Sequence, residues 1–347
     1  MKIGFDGMGG DYGPKETVKG AVDALNIIKA SMVIYGDETL IKNELSKYKY
    51  DVSRIEVVGT TQVVENDDKP VKAIKTKDDS SMVVGLKALR KGEVDAFVSA
   101  GNTGALLAGG LLKVGRIKGI SRPALCTIYP TMHGASVLVD AGANAECKSR
   151  NLLEFAYMGS MYADKVLGIK NPKVALVNIG AEDTKGTPLY IESYQLLKET
   201  DLNFVGNVEG RDVPGGAVDV IVADGFTGNI ILKLTEGVAL QLVGGLKTQI
   251  MKNTIGKIGG LLLKRNLSDF KKMLDYTEYG GAPLLGINGL VVKAHGSSNA
   301  KAFMNAIKYA QIGIDSKLVE EIRSKVASFP KPADVLEETG ESSASEE

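Results

Sequence analysis

A lysine, an asparagine and a histidine, each set beside glycine, are the side chains of this sequence best suited to chemistry. Lys185 closes the run Asn178-Ile-Gly-Ala-Glu-Asp-Thr-Lys185-Gly186, Asn229 ends Asp224-Gly-Phe-Thr-Gly-Asn229, and His295 begins His295-Gly-Ser-Ser298. Two more glycine phrases stand earlier, Asp6-Gly-Met-Gly-Gly-Asp11 and Ser99-Ala-Gly-Asn-Thr-Gly-Ala-Leu106. Glycine lets backbone amides approach a ligand and turn through positive φ. Amides gathered at helix starts or in nests hold an anion without many charged side chains. The chemistry this set suits is phosphate handling in an α/β enzyme. Each member also has an ordinary alternative. The first phrase reads as a strand-to-helix turn, Asn102 as a helix cap, and a lone histidine as a satisfied structural residue. Lys185, and Arg211 in Asn207-Val-Glu-Gly-Arg211-Asp212, read equally as solvated charges. Two aspartates flanking the first glycines exceed what a turn requires, and their carboxylates are expected to brace that loop by accepting amide hydrogens.

The elements that must position these residues follow from the hydrophobic pattern. Short apolar runs ended by Gly, Asp, Asn or Pro predict strands at Lys2–Phe5, Met32–Tyr35, Ile55–Val58, Ala96–Ser99, Leu125–Ile128, Val137–Val139, Val174–Ile179, Phe204–Val205, Val218–Val222 and Leu290–Val292. Between most of them lie helical patterns, such as Lys15–Ile28, Met82–Lys91, Ala105–Arg116, Asn151–Leu167, Ile230–Met251 and Ala300–Ile314. Pro14 suits a first helical turn. Such alternation predicts a Rossmann-like α/β fold, a mostly parallel sheet with helices on both faces. Ligands then bind beyond the carboxyl ends of the strands, and the phrases after Phe5, around Ser99 and after Ala223 are all expected there. One domain over residues 1–334 is expected, with a helical excursion about 252–275. The Ser/Glu-rich stretch 335–347 reads as a disordered acidic tail.

Composition removes several classes. Lys+Arg 42 against Asp+Glu 42 gives no net charge, which argues against a general nucleic-acid binder. Cys126 and Cys147 form no CxxC pair and read as small buried hydrophobes in a reducing cytoplasm. Gly256-Lys257 is followed by Ile, so there is no Walker A loop. Gly7, Gly9 and Gly13 miss the GxGxxG spacing by one residue. With His133 and His295 the only histidines, no HExxH motif arises and a zinc hydrolase is not expected. The charge-free stretches 96–112 and 123–139 are too interrupted for a membrane span.

Taken together, the phrases resemble the bacterial phosphate acyltransferase family PlsX, from Lys2 to about Ile314. The resemblance also covers Asp140-Ala-Gly-Ala-Asn144 with Cys147 and Tyr279-Gly-Gly-Ala-Pro-Leu-Leu-Gly286. Gly7 and Gly13 stand where the family is expected to have alanine, and Ala141 where it has valine. The resemblance implies a reversible enzyme that makes acyl-phosphate from acyl-acyl carrier protein and orthophosphate for phospholipid biosynthesis. It implies no cofactor and no metal, and a fold resembling isocitrate/isopropylmalate dehydrogenase. Applied to this chain, it points to Lys185 for phosphate and developing charge, and to Asn229 as oxyanion or phosphate donor. Gly9, Gly10 and Asp11, with Asn102, Thr103 and Gly104, are expected as the phosphate cradle. His295, Arg211, Thr227 and Ser297 are supporting candidates. A homodimer is implied, cytoplasmic, with membrane association at the inner face and hand-over to a membrane glycerol-3-phosphate acyltransferase. Ile255, Ile258, Leu261 and Leu262, bracketed by Lys252, Lys257, Lys264 and Arg265, form the amphipathic stretch suited to that contact. A dimer-interface hairpin is its alternative. Two other functions stay open: an isopropylmalate/isocitrate dehydrogenase-like oxidoreductase, and a phosphate-binding scaffold without catalysis.

Overall fold

The computed structural model describes residues 1–273 and 280–329. Tyr279, the end of the expected excursion and the acidic tail therefore lie outside the described residues. The strands are β1 (Lys2–Asp6), β2 (Ser31–Gly36), β3 (Ile55–Gly59), β4 (Ala96–Ser99), β5 (Ala124–Thr131), β6 (Gly134–Val139), β7 (Val174–Asn178), β8 (Phe204–Glu209), β9 (Val220–Val222), β10 (Ala282–Leu285) and β11 (Leu290–Lys293). The helices are α1 (Pro14–Ala24), α2 (Glu38–Leu45), α3 (Pro70–Thr76), α4 (Ser81–Lys91), α5 (Thr103–Gly109), α6 (Ser149–Val166), α7 (Pro188–Lys198), α8 (Gly225–Ile250), α9 (Thr254–Leu262), α10 (Lys264–Met273), α11 (Ala300–Asp315) and α12 (Leu318–Lys325).

The strands form one sheet in the order β3-β2-β1-β4-β11-β10-β5-β6-β9-β7-β8. Pairing is parallel from β3 to β11 and again from β6 to β8. At the centre β10 pairs antiparallel with both β11 and β5, and β5 pairs antiparallel with β6. The three antiparallel steps reverse the direction of the second parallel group. The carboxyl ends of β1, β4 and β11 therefore lie on one edge of the sheet, and those of β6, β7, β8 and β9 on the opposite edge. This corrects the expectation that all three glycine phrases share an edge: the phrase after Ala223 sits across the sheet from the other two. β10 itself was not expected, because Gly281 and Pro283 read as turn residues.

Period-two burial shows that both faces are covered in the first group. Met32, Ile34, Ala96, Val98 and Val292 belong to one apolar cluster with Val18 and Ala21 of α1 and Phe303 of α11. Their alternates Val33, Tyr35, Phe97 and Val291 belong to another with Val83 and Leu86 of α4. Each such Val, Leu, Ile, Met or Phe side chain contributes roughly 1.5–3 kcal/mol by leaving water. Close packing uses glycine where a helix meets a strand: a Cβ on Gly85 would stand 2.0 Å from the Phe97 ring. By contrast α8 and α9 are mostly bare. Ile255, Leu261 and Leu262 are 84, 72 and 79 % exposed, and only Gly225 and Gly228 of α8 are buried.

Candidate active site

A cavity of about 340 Å³ opens at the waist of the sheet, between α8 on one side and the turn leaving β11 on the other. Three of the residues singled out in the sequence line it: Thr103, Asn229 and His295. With them stand Gly142, Lys233, Glu236, Lys293, Gly296 and Ser298, over an apolar floor that includes Leu125 and Leu232.

The α8 wall is seated by Asp140. This carboxylate is buried and accepts hydrogen bonds from the amides of Leu125 (3.0 Å), Gly142 (3.1 Å), Ala143 (2.9 Å) and Asn144 (2.8 Å), and from Asn144 Nδ2 (2.8 Å). Burial pushes its pKa up against the pull of those donors. The loop it organises receives the start of α8. The Gly225 amide donates to Asn144 O at 2.7 Å, and a Cβ on Gly228 would stand 2.0 Å from Asp140 O. Asp224 caps the helix through the amide (2.9 Å) and hydroxyl (2.8 Å) of Thr227 and accepts from Tyr190 OH at 2.7 Å. The Thr227 hydroxyl is thus committed to the cap. Asn229 lies two residues further along, against Gly142, whose φ of 134° favours glycine at that turn. Lys233 and Glu236 follow at i+4 and i+7, on the same helix face. Burial raises the Glu236 carboxyl pKa, with Lys233 opposing.

The facing wall is the chain from Lys293 to Ser298. The Lys293 ammonium donates to Ala294 O and to Ala100 O (3.4 Å). Burial pulls its pKa down to about 8, against the opposing pull of the Asp11 and Asp6 carboxylates. The Ser297 amide donates to His295 Nδ1 at 3.2 Å, and Ser297 Oγ stands 2.8 Å from the same nitrogen. An Nδ1 that accepts from an amide leaves the neutral ring with its hydrogen on Nε2. Burial, Lys293 and Lys233 lower the His295 pKa, with Asp11 opposing, which favours the neutral ring.

The first glycine phrase supports this wall from behind. Asp6 is buried and accepts from Ser99 Oγ (2.7 Å) and the Met8 amide (3.2 Å), so it braces the loop as expected. A Cβ on Gly9 would stand 2.8 Å from Gly101 N, and one on Gly10 3.1 Å from Gly296 O. The Asp11 amide donates to Gly296 O at 2.8 Å. Gly9, Gly10 and Asp11 therefore set the position of the cavity wall and are not among its lining residues. Asn102 caps α5 through the Ala105 amide (2.9 Å) and donates to Asn66 O (2.9 Å), while Gly104 packs on Pro70. Lys185 and Arg211 follow β7 and β8 in the second parallel group and do not line the cavity. Lys185 stands 4.0 Å from Glu182, and Arg211 3.2 Å from Glu209.

Sequence reasoning missed Lys233, Glu236, Lys293 and Ser298. Two signals were there to find them. Lys293 ends an apolar strand two residues before the histidine phrase, and Lys233 repeats Asn229 at helical spacing.

Comparison with known proteins shows the family and the fold. Residues 1–320 match the family described as fatty acid synthesis protein. The chain is 60 % identical over 329 residues to a phosphate acyltransferase of Alkaliphilus oremlandii, covering 95 % of this chain and 98 % of that one. It is 53 % identical over 330 residues to a phosphate acyltransferase of Clostridioides difficile, covering 95 % and 97 %. In fold it resembles a phosphotransacetylase from Streptococcus pyogenes (TM-score 0.61, 18 % identity, 92 % and 94 % covered). It also resembles a 4-hydroxythreonine-4-phosphate dehydrogenase from Klebsiella pneumoniae (TM-score 0.51, 12 % identity, 93 % and 99 % covered). One fold thus carries different chemistries, and function must be argued from the site and the relatives.

Proposed function

The chain belongs to the fatty acid synthesis protein family and is a phosphate acyltransferase; we propose that it moves the acyl group of an acyl-acyl carrier protein onto orthophosphate. A phosphate oxygen attacks the thioester carbonyl, the tetrahedral intermediate collapses, and the carbon–sulfur bond breaks. The products are acyl-phosphate and the carrier thiol, which takes up the proton that hydrogen phosphate gives up. Hydrogen phosphate is already an anionic nucleophile, and a thiol of pKa ~8.5, by analogy with cysteine, leaves with little acid help. The protein's tasks are to hold the two substrates together and to stabilise the oxyanion, worth roughly 7–11 kcal/mol in favourable cases for proximity.

The observation that carries this reading is a single cavity lined by Lys293, Asn229 and His295 together. Asn229 and His295 donate to the charge growing on the carbonyl oxygen. The apolar floor at Leu125 and Leu232 takes the start of the acyl chain. Lys185 and Arg211 lie off the cavity, so a part for either in holding phosphate requires its loop to move. The test is phosphate-dependent loss of acyl-carrier thioester by the purified chain, and its reversal by acyl-phosphate. Turnover that required added magnesium or NAD would overturn the reading.

The bare apolar flanks of α8, with Ile230, Leu234, Leu240 and Leu242 exposed, support a homodimer in which a second copy covers them. By length and composition Gly225–Ile250 also suffices to cross a membrane, but its first turns build the cavity wall. The exposed tip at Ile255, Ile258, Leu261 and Leu262 supports a peripheral contact at the inner membrane face. There a greasy product passes to a membrane acyltransferase.

A further inference from the structure

Ser298 is 2 % exposed, lines the cavity, and its hydroxyl has no hydrogen-bond partner. A buried hydroxyl left unpaired is costly, and natural structures rarely keep one without a use. Its surroundings say what would complete it. The backbone around Ser298 is fixed, its amide donating to His295 O at 3.1 Å. Two residues on, the sixteen-residue helix α11 begins, with Asn299 Oδ1 accepting from the Ala302 amide (3.0 Å) and Glu16 Oε2 from the Ala300 amide (2.8 Å). That helix reaches this wall through Ala302 of its first turn, and Lys293 stands on the same wall. Ser297, the serine expected to bind phosphate, has its hydroxyl at His295 Nδ1. It positions the imidazole, and Ser298 is the serine whose hydroxyl is left without a partner.

Resting on the acyl-transfer reading above, we propose that Ser298 and Lys293 form the subsite for the attacking phosphate. The α8 wall, with Asn229 and Leu232, receives the thioester. A phosphate oxygen accepts from Ser298 Oγ, and a second oxygen meets the ammonium. Phosphate chemistry enters this site from two sources, the free anion and the phosphodiester of the carrier's pantetheine arm. The subsite is assigned to the free anion because it lies across the cavity from the apolar floor that the acyl group would occupy.

The experiment compares the full chain with Ser298→Ala in steady-state turnover, with orthophosphate varied against acyl-carrier and then against acyl-pantetheine, which lacks the phosphodiester. The expected result is a KM for phosphate raised about 10- to 100-fold, the scale of a hydrogen bond to a charged group. The KM for the acyl donor stays unchanged, and the defect is the same with either donor. Thermal melting without phosphate should be unchanged or slightly raised, while the stabilisation that phosphate gives the wild type shrinks. A phosphate KM within twofold of wild type overturns the proposal. So does a defect that falls on the acyl-carrier KM and disappears with acyl-pantetheine. If the wild type itself shows no phosphate-dependent turnover, the acyl-transfer reading is what fails.

Discussion

Replacing Lys293 by methionine isolates the cost of holding a cation inside the cavity. Burial lowers the Lys293 pKa from 10.5 to about 8. At 1.36 kcal/mol per unit this is about 3 kcal/mol of differential stability between the two protonation states. The sign follows from proton counts. Below pH 8 the lysine is protonated in both folded and unfolded chains, and the burial cost is fully present. Between 8 and 10.5 the unfolded chain still binds the proton that the folded chain has lost, so stability rises with pH. Above 10.5 both states are neutral and the cost is gone. Methionine has no such term and fills nearly the same volume. In urea unfolding of both proteins at intervals from pH 7 to 10.5, wild type should gain about 3 kcal/mol relative to Lys293→Met. Groups remote from Lys293 contribute equally in both proteins and cancel in the difference. At pH 7 the variant should bind phosphate far more weakly, although it carries no burial penalty. Parallel stability profiles would show that the ammonium is not held in a desolvated site, and the reasoning about this wall would fall with it.

Three further outcomes are expected. Asn229→Ala should lower turnover by on the order of 10²–10³ with folding retained, the scale of one lost oxyanion donor; near-wild-type single-turnover rates would remove Asn229 from the reaction. Gly228→Ala gains helix propensity but sets a methyl 2.0 Å from Asp140 O, so α8 must shift. A loss of about 1–3 kcal/mol in chemical denaturation, with a fall in kcat, is the expected result. Leu261→Glu combined with Leu262→Glu should weaken co-sedimentation with anionic liposomes while soluble turnover is largely kept; a double mutant that becomes monomeric would assign the tip to the subunit interface instead.

The legible part of this fold is the part written in short apolar runs. Every strand but β10 was marked by such a run, and Asn229 and His295 were found because glycine phrases follow or precede them at strand ends. β10 was hidden because Pro283 and the glycines before it are turn signals, yet Pro283 pairs with Val292 in the sheet. The two antiparallel steps at β10 cancel, and it is the β5–β6 hairpin that turns the second group over. Apolar runs mark strands without marking their direction, so a lysine after β7 looked equivalent to one after β11. Lys293 stands just past the expected strand Leu290–Val292, and Ser298 ends the His295 phrase; neither was singled out. Burial is what gives each a function, and burial here depends on the first glycine loop pressing on Gly296 from more than 280 residues away in sequence.

A sheet whose two parallel groups run in opposite directions would ordinarily keep their ligand edges apart. The separation here is small because the strands at the waist are short. β10 and β11 have four residues each, about 13 Å at the usual rise. The helix α8 starts at the far edge and runs back across that waist, where Thr235 Oγ1 meets Tyr129 OH of β5 at 2.8 Å. From Asn229 to Glu236 it covers about 10 Å, most of the distance needed. The reversal thus brings an anion-holding wall from one edge to face a helix from the other. A strictly parallel sheet would have placed both on the same side. For a reaction that must hold a phosphate and a thioester against each other, opposed walls supply the geometry directly: each substrate has its own wall, and the reacting atoms meet between them.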